Sequence, residues 1–154
     1  MEHVHHIQVL ALDLEGTLIS NAMSQIARPG LRDFLEFCGG AFPRIVIFTA
    51  VPEDRFRAIA RMLVSEGSAP GWFAGIECIE WDGRVKDLRF IPGADPADII
   101  LIDDHEAYIH PLQRRQWISI RPFEAPYRED DGELARVRSI LDITSTSLSR
   151  RERT

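Results

Sequence analysis

Two acidic pairs close two of the chain's apolar runs. Asp13 and Glu15 lie in Asp13-Leu14-Glu15-Gly16-Thr17-Leu18, directly after Ile7–Leu12, and Asp103-Asp104 follows Asp98–Ile102. Alternate residues where a strand opens into a loop can both turn into one site, and Gly16 permits the sharp turn this needs. Carboxylates gathered in this way repel one another unless a cation sits among them. A hard dication such as Mg2+ takes oxygen ligands, commonly one or two carboxylates with water and a substrate phosphate. The acidic pairs therefore predict a magnesium site suited to phosphate chemistry. Thr49, after Arg44–Phe48, adds a hydroxyl that can hold a phosphoryl oxygen together with nearby backbone N–H groups. Lys86, in Val85-Lys86-Asp87-Leu88, is the one lysine among 18 Lys and Arg residues. A chain that uses Arg everywhere else marks this position as one that needs a compact point charge. Each group also has a plain structural reading: a strand-end turn, helix-capping acids ahead of Glu106, a commonplace threonine, a solvated lysine.

Short runs rich in Ile, Val and Leu that end in polar residues are the pattern of buried parallel strands. Four are present: Ile7–Leu12, Arg44–Phe48, Asp98–Ile102 and the weaker Gln116–Ile120. Between them lie helical stretches, Pro29–Phe37 stopping at Gly39-Gly40 and Pro52–Glu66 stopping at Gly67, and Asp131–Leu141 follows the last strand. Ile76–Val85, with Asp82-Gly83 at its centre, reads as a small hairpin. Strand and helix in alternation predict a three-layer α/β/α, Rossmann-like parallel sheet with helices on both faces. In such sheets ligands bind at the carboxyl ends of the strands, where all the groups named above fall. Residues 1–143 are expected to form one domain, with Thr144–Thr154 as a disordered Ser-, Thr- and Arg-rich tail.

Asp13–Leu18, Arg28-Pro29-Gly30-Leu31 with Phe34-Leu35, Ile47-Phe48-Thr49-Ala50, Val85–Leu88, Ile100–Asp104 and Ile118–Pro122 occur in that order. Together they resemble the haloacid-dehalogenase-like superfamily, and within it the small carboxy-terminal-domain, or NLI-interacting-factor-like, phosphatases. The resemblance implies a magnesium-dependent phosphatase in which Asp13 attacks phosphorus and becomes an aspartyl-phosphate. It makes Glu15 the general acid and then the base, with its backbone oxygen on the metal. It gives Thr49, Ala50 and Lys86 the phosphoryl group to hold, and has Asp103 and Asp104 complete the Mg2+ site with Asp13. The family carries Asp where this chain has Glu15. A carboxylate survives, but a shift of about an ångström can cost roughly 100-fold in rate. Catalysis is expected to persist. The alternative is a catalytically weak relative that serves as a phosphate-binding or phosphotransfer module. A phosphoacceptor receiver domain uses similar groups, but its acid pair comes first along the chain, whereas Asp103-Asp104 comes last here.

No large cap domain fits in Leu18–Arg28 or Leu63–Lys86, so an open site and a bulky substrate such as a phosphoprotein are expected. The net charge of -6 argues against nucleic acid as the main partner. No apolar run approaches the ~20 residues of a membrane span, and the two lone cysteines, Cys38 and Cys78, fit a reducing cytoplasm. His3, His5 and His6 read as a mobile terminus, Arg55, Arg57 and Arg61 as a solvated helix face, and Trp72, Trp81 and Trp117 as packing residues. His105 and Arg121 lie close enough to the acid-bearing edge to reach substrate.

Overall fold

The computed structural model describes residues 6–151, with side chains through residue 144. Strands β1 (Val9–Leu12), β2 (Arg44–Ile47), β3 (Glu77–Cys78), β4 (Ile99–Asp103) and β5 (Trp117–Ser119) form one sheet in the order β3-β2-β1-β4-β5. Every pairing is parallel. β1 is central and buried along its whole length, as an unbroken apolar strand in a parallel sheet must be.

The helices are α1 (Leu31–Ala41), α2 (Glu53–Ser65) and α3 (Glu133–Arg151). All three pack on the sheet face made by Leu10, Leu12, Ile47, Ile100 and Ile102. The other face, Val9, Ala11, Val46, Phe48, Ile99 and Leu101, is covered by Ile79, Leu88, Ile91 and Ile109, which come from loops and short 3-10 turns. Right-handed crossovers explain the division. The β1-to-β2 and β2-to-β3 connections step one way across the sheet and place their helices on one face. The β3-to-β4 and β4-to-β5 connections step the other way and cover the opposite face. The chain therefore leaves β1 and β4 in opposite directions, which opens a crevice at their carboxyl ends.

Three local expectations are corrected. Ile76–Val85 is not a hairpin. Glu77 and Cys78 pair in parallel with Val46 and Ile47, and Asp82-Gly83 forms a turn in the loop beyond them. Asp82-Gly83 signals a turn without fixing what its flanks pair with, and the open edge of β2 takes the first flank. α1 does not stop at Gly39-Gly40 but continues to Ala41. The bare Gly39 lets the Trp72 ring lie against the helix, since a Cβ there would be 3.2 Å from the indole. α3 runs through residues 144–151, where the composition predicts a disordered tail. Buried Leu134, Val137 and Leu141 anchor its first turns, and an established helix extends at one hydrogen bond per added residue. Residues 152–154, like His3 and His5, lie outside the described residues. Among the described residues, Cys38 and Cys78 are free and no helix is long and apolar enough to cross a membrane.

Candidate active site

Asp13 is the first residue beyond β1, and its N–H donates to Ile102 O at 3.0 Å, which fixes it beside the end of β4. Its buried carboxylate takes two bonds, one from Lys86 Nζ to Oδ1 and one from the Thr17 hydroxyl to Oδ2, both at 2.8 Å. Lys86 Nζ also donates to Asp103 Oδ2 at 2.5 Å. The other Asp103 oxygen accepts the His105 N–H at 2.8 Å. Thr17 Oγ1 lies 3.3 Å from Asp104 Oδ1, so its single proton can serve Asp13 or Asp104. Ligand oxygens of Asp13, Asp103 and Asp104 all fall within 4.8 Å of one another. Gly16 is what allows Asp104 in so close. It holds φ +75, and a Cβ there would run into the Asp104 carboxyl group.

Lys86 comes from the β3-to-β4 crossover and is 1% exposed. Its N–H is tied to Tyr108 O at 2.8 Å, and its ammonium sits 5.1 Å from the Tyr108 ring and 5.9 Å from the rings of Phe48 and Trp81. Burial pulls its pKa down, but the charges of Asp13 and Asp103 with their hydrogen bonds outweigh burial and hold it above the usual lysine value. The ammonium is therefore a fixed positive charge. One ammonium does not balance three carboxylates. Burial, then the charge of Asp13, pushes Asp103 up to about 6. Burial, then Asp13 through a hydrogen bond and its charge, pushes Asp104 up to about 8. Both shifts express negative charge crowded into a half-dry pocket, which a divalent cation on these oxygens would relieve.

Thr49 follows β2 and is buried, with Oγ1 accepting the Val51 N–H at 3.2 Å. Ala50 is exposed at the rim. Glu15 is half-buried, and its Oε2 accepts the Ala22 N–H at 2.8 Å. Asp13, Glu15, Thr49, Ala50 and Asp104 line one open cleft of about 380 Å³, with Asp103 and Lys86 buried beside it. His105 and Tyr108 line another wall, their rings 4.9 Å apart. Arg121, expected near substrate, does not line this cleft. It lines a neighbouring depression with Arg128, and its backbone accepts from Arg28 and donates to Glu133.

Five residues to which sequence reasoning gave no place in the site complete the arrangement. Thr17 bridges the carboxylates, and Tyr108 walls in Lys86. Trp81, expected only to pack, also donates its indole N–H to Thr49 O at 2.8 Å. Trp117 does the same for Asp103 O at 2.9 Å. Arg28 is 1% exposed and donates to Gly16 O, Thr17 O and Arg121 O while pairing with both oxygens of Asp131. Arg28 was visible only as part of the Arg28-Pro29-Gly30-Leu31 stretch.

The cleft and the buried groups beside it gather an acid loop, a strand-end threonine, a buried lysine and a terminal acid pair, in that chain order. The pattern of the NLI interacting factor-like phosphatase family matches residues 8–151, a span that contains every one of these groups. No curated protein sequence matches the chain. The chain belongs to the NLI interacting factor-like phosphatases, a haloacid-dehalogenase-like family of hydrolases.

Proposed function

We propose that the protein is a magnesium-dependent phosphomonoesterase that works through an aspartyl-phosphate on Asp13. The observation that carries this reading is the Asp13 carboxylate itself. It is buried at the crevice between β1 and β4, held by Lys86 and Thr17, and within 4.8 Å of two further carboxylates. Asp13, Asp103 and Asp104, with the backbone oxygen of Glu15, would hold the ion. When bound, Mg2+ supplies positive charge against the phosphoryl oxygens and the crowded carboxylates.

In the first step an Asp13 oxygen attacks phosphorus, the P–O bond to the leaving group breaks, and the departing oxygen takes a proton from Glu15. In the second, Glu15 takes a proton from water as that water attacks phosphorus, which releases phosphate and restores Asp13. Lys86 stays charged throughout, because the two aspartates that raise its pKa prevent it from acting as a base at neutral pH. It orients Asp13 and offsets charge as the phosphoryl group arrives. Thr49 and Ala50 border the cleft where the phosphoryl oxygens would rest.

The walls of this cleft are short loops, which favours a bulky phosphorylated substrate such as a phosphoprotein over a small enclosed metabolite. A cytoplasmic location fits the two free cysteines. The test is phosphate release from an aryl phosphate with Mg2+, together with trapping of a hydroxylamine-sensitive phosphoenzyme. Asp13→Asn is expected to abolish both. Turnover that survives Asp13→Asn would overturn the mechanism. Tight binding of beryllium fluoride with no turnover would instead favour a phosphate-binding module.

A further inference from the structure

We infer that Arg55, on the first turn of α2, is a positioning residue that fastens a strap of chain at the wall of the cleft and thereby orients Glu15; this rests on Glu15 being the acid of the proposed mechanism. The strap is the segment between the Asp13 loop and α1. Ser20 N–H donates to Ile26 O at 2.8 Å and Ser20 Oγ accepts the Ile26 N–H at 2.9 Å, so its two limbs are tied. Asn21 Oδ1 caps the N–H groups of Met23 and Ser24 at 2.9 and 2.8 Å. Ser20 and Asn21 line the cleft.

At the tip one residue faces both ways through its two flanking peptide groups. Ala22 N–H donates to Glu15 Oε2 at 2.8 Å, and Ala22 C=O accepts from an Arg55 Nη at 3.1 Å and from Gln25 Nε2 at 3.0 Å. The same Arg55 nitrogen lies 3.5 Å from Met23 Sδ. A cation in the first turn of a helix opposes the helix dipole, so its place calls for a compensating contact. Among the described residues, the hydrogen bonds of this guanidinium go only to the strap. Arg55 does not line the cleft, so it acts through Ala22 and Glu15. The extra methylene of Glu15, relative to the Asp of related phosphatases, carries its carboxylate out to the strap, where Ala22 receives it.

Misplacing a general acid slows reactions in which the leaving group needs a proton and spares those in which it does not. The experiment compares kcat/KM for phenyl phosphate, a poor leaving group, with 2,4-dinitrophenyl phosphate, a good one. Arg55→Ala is expected to lower the first about tenfold and leave the second unchanged, and Arg55→Lys to recover most of the loss. Glu15→Ala should show the same selectivity more strongly, and adding Arg55→Ala to it should cost nothing further. If Glu15→Ala discriminates but Arg55→Ala slows both substrates alike or neither, the strap inference is wrong and the proposed mechanism stands. If Glu15→Ala does not discriminate, the acid assignment falls and the inference falls with it.

Discussion

Asp13 and Asp103 share one buried ammonium, and the Lys86 cage leaves it no other work. Removing it strands two carboxylates in a dry pocket. Breaking a buried ion pair from one side costs about 3–5 kcal/mol, so Lys86→Met is expected to unfold at markedly lower urea and to lose turnover. Lys86→Arg keeps the charge but is expected to stay largely inactive, because a planar guanidinium does not fit among the rings of Phe48, Trp81 and Tyr108 where a point charge does. Full activity in Lys86→Arg would show that only the charge matters. Gly16 offers a second check at this scale. Gly16→Ala places a side chain at φ +75 and drives it into Asp104. A strained residue of this kind costs about 1–3 kcal/mol, and the displaced Asp104 should weaken Mg2+ binding in a calorimetric titration. The placement of Lys86 among the clustered acids was legible in the sequence because it is the only lysine. The role of Thr17 was not, since a hydroxyl four residues after an aspartate carries no signal until the loop folds back on itself.

At the scale of elements, the strands were legible because a buried parallel strand must be apolar on both faces, and β1, with β2 after Arg44 and β4 before Asp103, says so. What failed was pairing and termination. The turn at Asp82-Gly83 was real but its hairpin was not, and Gly39-Gly40 did not end α1, because the partners that decided both, β2 and Trp72, are distant in the sequence. Arg28 shows the same limit more sharply. Its partner Asp131 lies 103 positions away, yet together they tie the carbonyls of Gly16 and Thr17 to the segment after β5 and to the start of α3. Phe123 completes the latch, with its ring 5.5 Å from the Arg28 guanidinium and its N–H on Gly16 O. If the latch acts as one unit, the stability losses of Arg28→Met and Asp131→Asn should fail to add by about 1 kcal/mol or more in a double-mutant cycle. Additive losses would mean that each residue serves its neighbours separately.

Among the described residues, the carboxylates of Asp13, Asp103 and Asp104 crowd together where the sheet topology opens, and at the scale of the whole molecule this couples folding to protons. Among the described residues, the two carboxylic acids with raised pKa values are Asp103, at about 6, and Asp104, at about 8. Both lie above the ordinary carboxylate value near 4 that the unfolded chain would show. A group with a raised folded pKa keeps its protons longer in the folded state, so its contribution is complete below about pH 4 and disappears as pH rises through the folded value. The metal-free protein should therefore lose stability between about pH 5 and about pH 8.5, where most proteins do not. Asp87, held well below the usual carboxylate range by its hydrogen bond to Arg89, acts in the opposite sense, but only at strongly acid pH outside this window. Lys86 titrates above it. Mg2+ should invert the trend. Bound to the deprotonated oxygens, the ion would stabilise the folded state by mass action, and its benefit would grow as the acids ionise. Thermal unfolding in EDTA is expected to show Tm falling by about 3 °C or more across the window, a change of roughly 1 kcal/mol for a chain of this size. Millimolar Mg2+ should remove the fall. Asp104→Asn, which cannot ionise, should flatten the EDTA profile and shrink the response to Mg2+ together. A Tm that rises with pH in EDTA, or a magnesium response that is the same at both ends of the window, would mean that these carboxylates are not the ones the ion binds.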